Sequence, residues 1–146
     1  MGIRKLKECE VDCIMKIWLE STIEAHNFIG KKYWKKNYNI VKDLYIPMAE
    51  TFVFCDKKGI HGFISIINDG FIGALFVDTK SQGSGIGKSL IEYIKNRYEN
   101  IKLAVYKDNK KAVEFYKKHG FKIIKEQENE DSGYLEYLMS YYKNRI

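Results

Sequence analysis

The sequence predicts an α/β sandwich: one mixed, mostly antiparallel central sheet with helices on both faces, in the order βααβββαβαββ. Three observations predict it. Short apolar runs separated by Gly, Asn and Asp turn residues fill the segment from "TFVFCD" to "FIGALFVD". A glycine-rich stretch, "QGSGIGK", then leads into a helix with Ile86, Leu90, Ile91 and Ile94 on one face. A nearly all-apolar run, "IKLAVY", follows that helix and reads as a strand buried on both faces.

"IRKL" near the N-terminus is a short strand. Val11, Ile14, Ile17 and Trp18 recur at helical spacing, which predicts a first helix over about residues 10–24. "FIGKKYWKKNYNIVKDLYI" reads as a second short helix that ends before Pro47. "TFVFCD", "IHGFISIIN" and "FIGALFVD", joined by "KKG" and "DG", form an antiparallel meander. After "IKLAVY", Asn109 caps a helix that Gly120 stops. "FKIIKEQ" and "YLEYLMSYY" close the fold as a hairpin around "ENEDSG".

The length of 146 residues fits a single domain over 1–146, and the lone proline argues against linkers. The charged N-terminus has no signal-peptide core, and no apolar run reaches the ~18 residues of a membrane span, so the expected location is cytoplasmic, with no membrane partner. Cys9, Cys13 and Cys55 lack paired metal-ligand spacing; they read as free, buried or half-buried thiols, and no metal is expected. The net charge of +6 is spread over scattered lysines rather than a block. That favours a solvated surface over a nucleic-acid footprint.

The glycines need a reason, because each costs roughly 0.5–1 kcal/mol inside a helix or strand. A P-loop would require glycine where Gln82 stands, and a dinucleotide fingerprint would require glycine where Lys88 stands. What remains is Gln82-Gly83-Ser84-Gly85-Ile86-Gly87, a match to Q/R-x-x-G-x-G/A between a strand and a helix. Such a loop aims successive backbone N–H groups at one spot, and the helix dipole adds partial positive charge there. A pyrophosphate would fit, with Lys88 at the rim; a plain glycine-rich connection is the other reading.

Downstream, Asn109, Ala112, Tyr116, Gly120 and Phe121 match N-x-x-A-x-x-x-Y-x-x-x-G-F. Together the two motifs resemble the GNAT superfamily of acetyl-coenzyme A-dependent N-acetyltransferases, in spacing and element order across residues 50–140. The segment from "IEAHNFI" to "AETFVF" looks like the small bacterial YjaB/YiaC-like branch. The resemblance implies a GNAT fold in which the fourth strand bulges and splays from the fifth, admitting the pantetheine arm; Gly73 suits a bulge near Ala74–Phe76.

It also implies acetyl-coenzyme A as cosubstrate. The cosubstrate would contact Leu75, Phe76, Val77, the loop residues Gln82, Gly83, Ser84, Gly85, Ile86, Gly87, Lys88 and Ser89, and then Asn109, Ala112 and Tyr116. Leu75 N–H would polarise the thioester carbonyl, and Tyr116 would protonate the departing thiolate. Attack needs a neutral amine, so a base or water chain must take a proton. Glu50, just before a strand at the expected mouth, and His26 are the candidates as base or substrate ligand. Trp18, Phe28, Tyr33, Trp34, Tyr38 and Tyr45 either line an acceptor pocket or build core. The acceptor is a primary amine, on a small molecule or a protein, and residues 20–50 show no carboxylate cluster for a polycation. The alternative reading is a non-catalytic coenzyme A sensor. A monomer or homodimer is expected.

Overall fold

The computed structural model describes residues 2–143; Met1 and residues 144–146 of the expected 1–146 domain lie outside the described residues. The chain runs β1 (Gly2–Lys5), α1 (Val11–Ala25), α2 (Lys31–Ile40), α3 (Ile46–Met48), β2 (Glu50–Asp56), β3 (Gly59–Ile67), β4 (Phe71–Val77), α4 (Ile86–Lys95), β5 (Asn100–Tyr106), α5 (Lys110–Lys118), β6 (Lys122–Glu128) and β7 (Leu135–Tyr142). The strands form one sheet in the order β1-β2-β3-β4-β5-β7-β6, and every neighbouring pair is antiparallel except β4–β5. The predicted α/β class and element order therefore hold, with α3 added.

Two cores flank the sheet because side chains alternate faces along each strand. Phe52, Ile64, Ile72 and Leu103 pack with Ile86, Leu90, Ile91 and Ile94 of α4 and with Val113 and Tyr116 of α5. Val53 and Phe63 face the other way, against Ile14, Met15 and Trp18 of α1 and Trp34 of α2. The helical spacing read from the sequence is thus the core-facing stripe of α1 and of α4.

Three expectations change. The second helix does not stop before Pro47. A widened π turn, Val41–Tyr45, carries it into α3, where Pro47 occupies the first turn and its missing N–H costs nothing. β5 is buried on one face only: Ile101, Leu103 and Val105 are buried, whereas Lys102 and Ala104 are exposed. α1 packs over β3 and β4, while on the second face of β5 it is Tyr106, at the strand's end, that packs into the α1–α2 cluster. Cys9 and Cys13 are exposed rather than buried, and Cys55 is half-buried; all three are free thiols.

The feature that creates a site is the failure of β4 and β5 to stay together. They pair in parallel only at Phe71–Lys102 and Ile72–Leu103. On the other edge of β4 the register slips: Ser65 pairs with Ala74 but Ile66 with Ile72, so Gly73 is the extra residue of a bulge. The bulge bends β4 off β5 where the expected wedge begins.

Candidate active site

The first wall of the site is the turn into α4. Gly83 and Gly85 have φ of 83° and 86°, the left-handed region where a side chain is strained. That conformation turns the chain sharply, and Gly85 becomes the residue capping α4. The first helical bond runs from Ser89 N–H to the Gly85 carbonyl at 3.0 Å. The amides of Ile86, Gly87 and Lys88 are thus left without an intrahelical acceptor. Ser89 Oγ donates to the same carbonyl at 3.0 Å, and Ser84 Oγ donates to the Ser81 carbonyl. Those two hydroxyls shape the loop.

A cleft of about 830 Å³ opens over these amides. Leu75, Phe76, Val77, Gln82, Gly83, Gly85, Ile86, Gly87, Lys88, Asn109, Ala112 and Tyr116 all line it; of the residues expected at the cosubstrate, Ser84 and Ser89 alone do not. Four lysines line it as well, Lys88, Lys110, Lys111 and Lys118, against two carboxylates, Glu24 and Asp108. Sequence reasoning did not single out Lys110, Lys111 and Lys118, because the lysines read together as charge scattered over a solvated surface. It also missed Ser21 of α1, whose Oγ donates to the Val77 carbonyl at 3.2 Å beside Gln82 Nε2 at 3.4 Å.

A second cavity, about 210 Å³, fills the wedge between β4 and β5. Ile72, Gly73 and Ala74 form one side and Leu103 to Tyr106 the other, with Trp18, Thr22, His26 and Trp34 above. Leu75, Phe76, Asn109, Ala112 and Tyr116 line both spaces. Two chambers therefore meet at one strand end and one phenol.

Tyr116 is buried, and its hydroxyl has no hydrogen-bond partner among the described residues. Burial pushes its pKa up, so it stands as a protonated donor. Asn109 Oδ1 accepts the Ala112 N–H at 3.3 Å, capping α5 as predicted, while its Nδ2 lies 3.1 Å from His26 Nε2. His26 Nδ1 lies 3.0 Å from Thr22 Oγ1. The ring is wrapped by Phe28, Trp34 and Tyr106. Burial lowers its pKa to about 4, against a smaller upward pull from Thr22, so the imidazole is neutral at neutral pH.

The hairpin between β6 and β7 reaches back over this chamber. Tyr33 donates to Asp131, Tyr106 to Ser132 Oγ at 3.0 Å, and Tyr134 to the Phe28 carbonyl at 3.0 Å. Tyr33 thus stands in the outer wall. Burial, with the Asp131 bond next, raises its pKa. Exposed Glu128, Glu130 and Asp131 belong to this hairpin. The run "EQENED" was visible in the sequence, but only the fold sets it against α2. Of the other aromatic candidates, Tyr38 packs on Trp18 and Tyr45 is exposed.

Glu50 is not brought to either chamber. It pairs across the sheet with Ile66, at the end of the sheet where β4 and β5 still touch, and on the α4 side. Lys5 Nζ lies 3.3 Å from its carboxylate, Arg97 3.6 Å, and the Tyr98 hydroxyl 3.3 Å. Partial burial would raise its pKa, but Lys5, Arg97 and Tyr98 outweigh it and hold the carboxyl below its usual range. A carboxylate so held stands at the closed end of the wedge, outside the lining of both chambers. The expectation failed because a position before a strand says nothing about which sheet end or face it occupies.

Residues 20–143 match the model of the acetyltransferase (GNAT) domain family. The chain belongs to the GNAT acetyltransferase family. It is an acyltransferase of the YjaB/YiaC-like branch. It is 37% identical over 122 residues to peptidyl-lysine N-acetyltransferase YiaC of Escherichia coli, covering 84% of each chain. It is 31% identical over 134 residues to peptidyl-lysine N-acetyltransferase YjaB of Salmonella typhimurium, covering 91% of each. The solution structure of apo YjaB from Escherichia coli superposes on this acetyltransferase with a TM-score of 0.84 at 26% identity, covering 96% of each chain. The PaiA N-acetyltransferase of Thermoplasma acidophilum, solved in complex with coenzyme A, shares the fold at a TM-score of 0.78 and 19% identity, covering 97% of this chain and 98% of that one. Among the described residues no helix is long and apolar enough to cross a membrane.

Proposed function

We propose that this enzyme transfers the acetyl group of acetyl-coenzyme A to the side-chain amine of lysine residues in proteins, by direct attack within a ternary complex. The observation that carries the reading is the junction of two chambers at Leu75, Asn109 and Tyr116. The outer cleft suits coenzyme A. Free amides at the α4 N-terminus meet the pyrophosphate, Gly85 and Gly87 let its oxygens approach, and Lys88, Lys110, Lys111 and Lys118 offer charge to the phosphates. The pantetheine arm lies along the unpaired edge of β4 and brings the thioester to the junction. Leu75 N–H polarises the carbonyl, an effect worth about 3 kcal/mol for an oxyanion donor. Tyr116 protonates the thiolate as it leaves.

The inner chamber suits the acceptor. It is narrow and aromatic, which favours an unbranched alkylamine chain, and the hairpin carrying Glu128, Glu130 and Asp131 offers negative charge to a cationic substrate. The names of the YiaC and YjaB relatives point to peptidyl lysine in particular. A non-catalytic sensor would have no use for a protonated phenol at the junction. The test is acetyl transfer from acetyl-coenzyme A to lysine peptides, peptide N-termini, polyamines and aminoglycosides, followed by mass spectrometry. Acetylation at lysine Nε supports the reading. Transfer to small amines alone, with lysine peptides inert, would contradict the acceptor assignment.

A further inference from the structure

The neutral amine that attacks, its ammonium proton already given up to bulk water, must lose one further proton, and the groups that can take it are few. The wedge chamber has no carboxylate in its lining. Glu24, Asp108 and His119 line the outer cleft and not the wedge, and the Glu136 carboxylate is held by Gln127 at 2.7 Å and Asn129 at 2.9 Å. Burial keeps the phenols of Tyr106 and Tyr116 protonated. The Trp34 indole N–H is buried without a partner and is a donor only. That leaves His26.

Its tautomer follows from its neighbours. Asn109 Oδ1 is committed to the Ala112 N–H, so the atom 3.1 Å from His26 Nε2 is the amide nitrogen, a donor. Nε2 therefore carries a lone pair, and the ring proton sits on Nδ1, facing Thr22 Oγ1 at 3.0 Å. The ring cannot swing away, because Phe28, Trp34 and Tyr106 pack around it.

We propose that His26 Nε2 accepts the proton of the attacking amine, with Asn109 as the resting partner that gives up this lone pair when substrates enter. The proposal rests on the acetyl-transfer reading above. The amine nitrogen bonds to the thioester carbon and its proton passes to Nε2. The carbon–sulfur bond breaks with its electron pair leaving on sulfur, and the Tyr116 hydroxyl gives that sulfur a proton. The imidazolium then returns its proton to the Tyr116 phenolate through water in the shared chamber. One N–H is lost and one S–H is gained, and both side chains end as they began. A weakly basic imidazole suffices, because the ammonium of a tetrahedral adduct is far more acidic than a free alkylammonium.

The experiment compares the wild type with His26→Gln and His26→Ala, using acetyl-coenzyme A and a lysine peptide. His26→Gln retains an oxygen for Asn109 but cannot take the proton. It should lose roughly 10²-fold in kcat, with acetyl-coenzyme A affinity within about twofold of wild type. His26→Ala should regain activity with added imidazole, and across substituted imidazoles the rescued rate should rise with their basicity. Repacking alone would not track basicity. A kcat within about threefold of wild type in folded His26→Gln, or a His26→Ala rate indifferent to imidazole basicity, would overturn the role. Wild-type protein that acetylates no amine overturns the functional reading. Wild-type turnover with His26 dispensable overturns this step alone.

Discussion

The two chambers that meet at Tyr116 are built in different ways. The outer cleft draws most of its ligand-facing groups from backbone: one stretch from Leu75 to Lys88 supplies the strand edge, the left-handed glycines and the free amides. The inner chamber draws on side chains from α1, α2, β5 and the β6–β7 hairpin, which meet only in the folded protein. A backbone site recognises something common to all reactions of the family, so its demands are local. On the proposed reading the side-chain site meets the particular acceptor, and its parts are set by tertiary packing.

The outer cleft is the easier to break. Gly85→Asp puts a carboxylate among the α4 amides at a position whose φ of 86° Asp tolerates better than most residues. The dissociation constant of acetyl-coenzyme A should rise at least thirtyfold, about 2 kcal/mol, by calorimetric titration, with an unchanged circular dichroism spectrum. Unchanged affinity would place the pyrophosphate elsewhere. Valine would test less cleanly: at Gly85 it is strained by φ, and at Gly87 a Cβ would already lie 3.4 Å from the Phe115 ring.

The inner chamber should show itself through pH. His26 has a folded pKa of about 4, below its ordinary 6.5. Between those values the unfolded chain binds a proton that the folded chain refuses, so stability falls as pH drops below about 6.5. The loss should reach about 2 kcal/mol by pH 5. His26→Phe removes the titration and should flatten that part of the stability curve, measured by urea unfolding from pH 7 to pH 5. Equal slopes in both proteins would mean that His26 is not held neutral by its surroundings.

Asn109 belongs to both regions, so its variant sharpens the comparison. Asn109→Ala removes the Ala112 cap and the donor to His26. Loss of a cap costs about 1 kcal/mol, which a thermal melt will register. Glu50→Gln is the smallest change expected. Its partners are Lys5 and Arg97 outside both chambers, so kcat should remain within about threefold of wild type and stability within about 1 kcal/mol. A larger loss of turnover would return Glu50 to the reaction.

How much was legible follows from the same contrast. The turn into α4 and the Asn109 cap could be read because each depends on neighbours in sequence, a turn and a helix start; the Gly73 bulge and Tyr116 came with the resemblance to the GNAT motifs. Lys110 and Lys111 were missed because exposed lysines look alike until a cleft opens beside them. The Tyr33–Asp131 contact joins residues 98 apart in sequence, and no local pattern announces it. Glu50 failed on orientation: its strand was found, but not the face or the end of the sheet that it occupies. β5 looked buried on both faces because Ala104 is apolar, although it is exposed.

The central claim is that the two chambers meet for acyl transfer with Tyr116 as the acid. The most direct test is Tyr116→Phe, which keeps the ring and its packing on Phe115 and Phe121 and removes one hydroxyl. Steady-state kinetics with a lysine peptide and a separate acetyl-coenzyme A titration divide chemistry from binding. A proton delivered to the leaving thiolate stabilises the transition state and adds little to ground-state binding. The account predicts a kcat lower by roughly 10²-fold with the acetyl-coenzyme A affinity unmoved. A kcat within about threefold of wild type would contradict it, and would make Tyr116 a core aromatic at the edge of two cavities.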